Sequence, residues 1–126
     1  MSHIFLAIAS ILAGLAVAAG AFASHALKEK LAERAIEIFE TAARYQMYHA
    51  LALLFVALLL TRVQTPPPFL NPAGFAFIAG IALFSGSLYA ISLSGIKWLG
   101  AIAPIGGAAF LIGWGCLAVA AFNLKY

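Results

Sequence analysis

Long apolar runs alternate with short polar segments along the chain. Four runs are long enough to cross the hydrocarbon core of a bilayer, which takes about 20 apolar residues in a helix. Because lipid offers no partners to backbone N–H and C=O groups, each run is predicted to be an α-helix. The predicted spans cover about residues 4–23, 45–62, 73–94 and 98–123.

An amphipathic segment separates the first two spans. Residues 27–44 hold all four acidic residues of the chain, and Leu27 and Leu31 open an apolar stripe at helical spacing. On the opposite face, Glu40 and Arg44 have the i,i+4 spacing that favours an ion pair. Because the segment contains no Gly or Pro, this amphipathic helix is predicted to run directly into the second span.

The other connections are short and stiff. Three consecutive prolines in "TRVQTPPPFLNP" force extended geometry between the second and third spans. The five residues "SGIKW" link the third and fourth spans, which must therefore be antiparallel neighbours. The sequence predicts an all-α integral membrane protein: an antiparallel four-helix transmembrane bundle, with an amphipathic helix between spans 1 and 2, forming one domain over residues 1–126.

Composition supports a membrane protein. Of 126 residues, 65% are hydrophobic and 9% are charged, and the mean hydropathy is +1.06, whereas soluble domains have about 25% charged residues. The net charge of +3 does not indicate nucleic-acid binding, because the basic residues are spread over the loops. The expected partner is the lipid bilayer and not a nucleic acid.

The distribution of Lys and Arg predicts the orientation. Two basic residues, Arg62 and Lys125, lie on one side of the bundle. Both termini lie on this less basic side. Because Lys and Arg accumulate in cytoplasmic loops, the termini are predicted to be non-cytoplasmic. Five basic residues lie on the opposite side, at the first and third connections: Lys28, Lys30, Arg34, Arg44 and Lys97.

Small residues recur at intervals of four in spans 1, 3 and 4. In lipid such pairs allow helix backbones to approach closely, so their glycines are predicted to have a structural role. Pro104, followed by two glycines, predicts a kink in the last span. The glycines of these pairs include Gly14, Gly80, Gly86 and Gly107.

A few polar residues are predicted to share one leaflet. His25 ends the first span, His49 lies about one turn inside the second, and Tyr89 comes late in the third. Antiparallel spans bring these positions to the same depth. The candidate ligand-binding residues are His25, Arg44, Tyr45, Gln46, His49 and Tyr89.

Three interpretations of this cluster compete. His25 and His49 could ligate a metal or a haem iron, since imidazole suits both, but no spacing such as HExxH supports a metal site. His49, Tyr45, Gln46 and Tyr89 could bind a quinone or lipid head group, or His49 could relay a proton. In the third interpretation the histidines hydrogen-bond Tyr, Ser or backbone groups and fix the packing. No metal or cofactor is expected, with haem or quinone as the alternative.

The functional expectation is a non-enzymatic integral membrane protein. No nucleophile elbow, phosphate loop or metal motif is present, and the absence of Asp and Glu from the spans argues against a coupled transporter. An accessory or assembly subunit of a membrane complex, with a membrane-protein partner or a second copy of itself, is the leading expectation. The alternative is a binder or carrier of a small lipophilic ligand or a proton through the His/Tyr/Gln cluster.

Four motifs resemble one known family. "GAFASHALK", "FETAARYQMYHALALL", "FSGSLYAISLSG" and "WLGAIAPIGGAAFLIGW" occur here in the order found in small four-span bacterial inner-membrane proteins typified by YgdD and YwdK. This is domain-of-unknown-function family 423, which has mitochondrial relatives in animals. The resemblance implies four spans and a bacterial cytoplasmic (inner) membrane or a related energy-transducing membrane, and it implies no reaction. It associates with the family pattern Gly20, His25, Thr41, Tyr45, Gln46, His49, Ser85, Gly86, Pro104 and Gly107.

Overall fold

The computed structural model describes residues 1–125, which form helices and short connections without a strand. The last turn of the first helix and the middle of the third span are π-helical, and a 3₁₀ turn precedes the last helix. In chain order the elements are α1 (Ser2–Phe22), a π turn (Ala23–Leu27), α2 (Glu33–Arg62), α3 (Leu70–Gly80), a π turn (Ile81–Ser85), α4 (Gly86–Ser94), a 3₁₀ turn (Lys97–Ala101) and α5 (Ala103–Ala121).

Four continuous helical stretches are long and apolar enough to cross a membrane. They confirm the predicted all-α integral membrane fold with four spans. α3, its π turn and α4 together form the third span, and the 3₁₀ turn with α5 forms the fourth. The stretches are Ser2–Leu27, Glu33–Arg62, Leu70–Ser94 and Lys97–Ala121.

The amphipathic segment begins later than the sequence predicts. Its helix starts at Glu33 and not at Leu27. Residues 28–32 form the turn in which the backbone N–H groups of Lys30 and Leu31 donate to the Leu27 carbonyl at 2.9 and 3.0 Å. From Glu33 onward the amphipathic part and the second span are a single helix. Its 30 residues extend about 45 Å, which exceeds the hydrocarbon core, so the first turns of α2 project from it.

α2 packs between α1 and the third span, where it contacts α3, the π turn and α4. Near its C-terminal half, a large apolar cluster includes the fully buried Phe5, Leu53, Val56 and Leu70. Near its N-terminal end, a smaller cluster is built from Ala23, Leu27 and Phe39. The buried residues of α2 between these clusters include the polar side chains discussed below.

Close helix approach occurs at only some of the glycines predicted for it, and it also occurs at Gly106, which lies outside the predicted pairs. A Cβ added to Gly106 would overlap the backbone N and Cα of Phe84, so α5 touches the third span there backbone to backbone. Gly80 likewise lies against the ring of Phe110. The predicted close approach is not found at three other glycines, whose added Cβ would meet nothing within 4 Å: Gly14, Gly86 and Gly107.

The last span is interrupted before Pro104 and not at it. Pro104 stands in the first turn of α5, where its missing N–H would have had no partner in the helix anyway. The 3₁₀ turn ends at Ala101, and Ile102 joins it to α5. The predicted internal kink is therefore corrected to a junction at the start of the helix.

Candidate functional site

His49 lies in the middle of the bundle and is only 5% exposed. Its Nδ1 is 2.8 Å from the Tyr45 carbonyl oxygen, and its Nε2 is 3.1 Å from the indole Nε1 of Trp114. Because an indole N–H can only donate, Nε2 is the acceptor and Nδ1 carries the proton that it donates to Tyr45. The imidazole is neutral, and both of its nitrogens are occupied.

Aromatic rings enclose the same imidazole. The Phe110 ring stacks on it with centroids 3.5 Å apart and planes 10° apart. Tyr45 lies nearly parallel at 6.2 Å, and Phe77 is at 5.8 Å. Trp114 meets the ring edge to face at 5.8 Å while its own side chain is 45% exposed, so Trp114 covers His49 on the outer side of the bundle.

Gln46 connects three helices through its side-chain amide. The Nε2 group donates to the Leu12 carbonyl of α1 at 2.7 Å. The Oε1 atom accepts a hydrogen bond from the hydroxyl of Tyr89 on α4, also at 2.7 Å. The amide therefore fixes the relative height of α1, α2 and α4, and Gln46, like His49, is 5% exposed.

Two serines of the third span bind the backbone of α2. Ser85 Oγ donates to the Ala42 carbonyl at 2.8 Å, and Ser92 Oγ donates to the Ala35 carbonyl at 2.6 Å. Both serines are buried. The internal polar layer of the bundle consists of His49, Trp114, Gln46, Tyr89 and Ser85, whereas the bond of Ser92 lies seven residues, or about 10 Å, nearer the start of α2.

His25 does not join this layer, which corrects the predicted convergence of the two histidines. It is exposed in the π turn after α1. Gln46, three residues before His49, bonds the Leu12 carbonyl of α1, and His25 lies 13 residues, or about 19 Å of helix, further along the first span. His25 and His49 are therefore too far apart to ligate one metal ion. Among residues 1–125, no cluster of three His, Cys, Asp or Glu side chains could hold a metal.

Arg44 also lies outside the polar layer, in an open groove between α1 and α2. Its Nη2 donates to Thr41 Oγ1 at 3.2 Å. The Glu40–Arg44 ion pair expected from the sequence is not formed, since the pair within 4 Å among residues 1–125 joins Arg34 and Glu37. The groove has a volume of about 290 Å³ and is lined by Ala16, Gly20, Ser24, Glu40, Ala43, Arg44 and Met47.

The predicted site residues thus divide into two regions. Tyr45, Gln46, His49 and Tyr89 belong to the internal layer, Arg44 faces the groove, and His25 lies near the groove's outer end. Sequence reasoning missed Trp114 and Phe110, the two residues that close the layer from α5. An indole N–H in an apolar span requires an acceptor, and this requirement was the available signal for Trp114.

Comparison with known proteins agrees with this architecture. The family model described as "Protein of unknown function (DUF423)" matches residues 19–107. The chain is 43% identical to the UPF0382 membrane protein YwdK of Bacillus subtilis over 123 residues, covering 98% of each chain. It is 43% identical to the UPF0382 membrane protein SAB0533 of Staphylococcus aureus over 120 residues, covering 95% of this chain and 96% of that one.

A third relative, the UPF0382 membrane protein SSP2132 of Staphylococcus saprophyticus, is 38% identical over 121 residues, covering 96% of this chain and 98% of its own. No solved structure matches the chain at a significant level. The family match covers more than half of the sequence, and the relatives align over nearly all of it. This chain therefore belongs to the DUF423 family of membrane proteins, whose function is unknown.

Proposed function

We propose that this protein is a non-enzymatic accessory or assembly subunit of a membrane complex. The observation that supports the proposal is the closure of the internal polar layer. Both nitrogens of His49 and both amide atoms of Gln46 are hydrogen-bonded within the protein. Groups engaged in this way hold helices together and are not available to a substrate, a metal or a moving proton.

The same closure argues against the alternative of a carrier that works through the layer. A haem or quinone would have to displace Trp114 from Nε2 or insert between His49 and Phe110, whose ring centroids are 3.5 Å apart. The first change would leave the Trp114 indole N–H without its acceptor, which costs about 1–3 kcal/mol, and the second would separate the stacked rings of His49 and Phe110. The contacts of the layer therefore do not support a haem or quinone site at His49.

The docking surface in this proposal is the projecting start of α2. Arg34 and Glu37 form an ion pair there with side chains 79% and 56% exposed. They stand beyond the apolar part of the span, on the side that carries five of the seven basic residues. We place this end in the cytoplasm of a bacterium, with both termini outside, because positive charge marks the cytoplasmic side. The activity of a periplasmic reporter enzyme fused after the last residue measures this orientation.

The experiment is photo-crosslinking in living cells with a photoreactive amino acid at position 37. A docked subunit gives one discrete adduct with another membrane protein. The substitution Arg34→Glu, which reverses the charge at this position, should abolish the adduct. The matched control places the photoreactive residue at Leu111, which is 74% exposed on α5 and should give adducts with lipid only.

The result that would contradict the proposal is a small molecule bound to the purified protein. A stoichiometric haem, quinone or other small molecule that is lost in a folded His49→Phe variant would refute the proposal in favour of a ligand-binding layer. Loss of folding in the same variant, with no molecule bound to the wild type, would agree with a layer that serves packing.

A further inference from the structure

The groove between α1 and α2 lies at the depth of the lipid head groups. Arg44 and Arg62 stand on the same helix, and no charged residue occurs between them. Their 18-residue separation corresponds to about 27 Å, close to the hydrocarbon thickness of about 30 Å. Arg44 therefore marks one edge of the hydrocarbon, and Glu40 lies one helical turn further toward the water.

The two charges of the groove do not neutralise each other. Glu40 is half-buried, and among residues 1–125 neither Glu40 nor Arg44 takes part in an ion pair within 4 Å. A guanidinium has five N–H donors, and the described contact of Arg44 uses Nη2 toward Thr41. The remaining donors suit a bidentate bond to a phosphate.

The groove has the size and the lining of a site for a small amphiphile. Its volume of about 290 Å³ is close to the lower limit of about 300 Å³ for ligand sites. Beyond the charged end, Ala16, Ala43 and Met47 line it with apolar surface. Gly20 provides open space, since an added Cβ there would meet nothing within 4 Å.

We propose that this groove binds the head group of a phosphatidylethanolamine-type lipid, with the phosphate on Arg44 and the ammonium on Glu40. The order of charges fits, because in this lipid the phosphate is closer to the acyl chains and the ammonium is further out. On α2, Arg44 likewise lies closer to the hydrocarbon core, and Glu40 lies closer to the water.

The same chemistry discriminates against other common lipids. The trimethylammonium group of phosphatidylcholine has no N–H to donate to Glu40. Phosphatidylglycerol has no cation, so its glycerol hydroxyls could give Glu40 only uncharged hydrogen bonds, which are weaker than a bond from an ammonium group. The site goes beyond the accessory role proposed above, since no partner protein takes part in it.

The experiment is native mass spectrometry of the full chain in detergent with equal amounts of palmitoyl-oleoyl phosphatidylethanolamine, phosphatidylcholine and phosphatidylglycerol. We expect the ethanolamine adduct to exceed each of the others by about threefold to tenfold, the range for one ordinary hydrogen bond at a partly exposed site. Arg44→Gln should reduce the adduct by a similar factor, and Glu40→Gln should remove the preference over phosphatidylglycerol.

Matched variants separate the groove from general lipid binding. Gly20→Leu fills the groove and should lower the adduct, whereas Gly14→Leu, at another open glycine of α1, should leave it unchanged. Arg62→Gln at the opposite edge should also leave it unchanged. Circular dichroism confirms that each variant is helical.

Three results would overturn the proposal: equal retention of the three lipids, an unaltered adduct in Gly20→Leu, or the same loss in Arg62→Gln as in Arg44→Gln. Each would mean that the adduct reflects nonspecific attraction at the surface. None of them bears on the crosslinking at position 37, so the lipid site and the accessory role can fail separately.

Discussion

The internal polar layer and the α1–α2 groove include residues only five positions apart on α2, His49 and Arg44. Yet the polar atoms of the layer are hydrogen-bonded to one another, and the charged groups of the groove are not paired. In the layer, each hydrogen-bonding atom of His49 and Gln46 has a partner from another residue, and aromatic rings fill the remaining space. In the groove, a carboxylate and a guanidinium remain apart and the space is open.

The difference follows from depth and from burial, because Gln46 is buried in the layer only two residues beyond the exposed Arg44. Inside the hydrocarbon, an unsatisfied polar group costs several kcal/mol, so polar residues there must be closed off by the protein itself. At the head-group level, water and lipid can complete the bonds, and charges can stay available for a partner. In this protein the polar residues of the layer are therefore engaged with one another, whereas the charges at the edge of the span remain available to a ligand.

The largest effect should come from opening the layer with His49→Ala. This change creates a cavity beside Phe110 and leaves the Trp114 indole N–H without its acceptor. We expect a loss of about 3–4 kcal/mol, combining the cavity and the orphaned donor. Thermal unfolding in detergent, followed by circular dichroism, measures it.

The control for this variant is His25→Ala, at an exposed histidine outside the layer, for which we expect a change within about 0.5 kcal/mol. If both variants lost the same stability, His49 would be no more integrated than a surface residue. The contrast between the closed layer and the open groove would then have no energetic basis.

The membrane fold was predictable because a span in lipid needs about 20 apolar residues, and such runs are visible directly in the sequence. Four apolar runs had to be four helices. The start of α2 was not predictable in the same way, because residues 28–32 contain neither Gly nor Pro to signal a turn. The turn is required by the reversal between antiparallel spans, and periodicity cannot place such a reversal along a continuous amphipathic pattern.

The site was only partly predictable for a related reason. The i,i+4 spacing of Tyr45 and His49 is visible in the sequence, and the structure uses it in the bond from Nδ1 to the Tyr45 carbonyl. The partners from α5 were not visible, because this helix is apolar on all sides and has no polar face to indicate its rotation. Its rotation is set instead by contacts such as that of Gly106 with Phe84.

A smaller effect should follow from forcing α5 away from the layer with Gly106→Ala. The new Cβ would overlap the backbone of Phe84, which cannot move aside as a flexible side chain can. We expect a loss of about 2 kcal/mol, within the range for overpacking, again measured by thermal unfolding. Gly107→Ala is the matched control, since its Cβ would meet nothing within 4 Å. Equal effects of the two variants would show that close approach at residue 106 does not position α5.

The smallest effect, and one of opposite sign, should come from Gly20→Ala in the groove. Its Cβ points into open space, and alanine is the better helix former by about 0.5–1 kcal/mol in water. In the membrane, where the unfolded segment stays helical, we expect a gain of no more than about 0.5 kcal/mol. Gly14→Ala, also open, should behave alike. A clear loss of stability at residue 20 alone would mean that the groove closes in the membrane and that its walls touch, as the helices do at Gly106. The difference between an internally satisfied layer and an open edge site would then disappear at the position where it matters most for lipid binding.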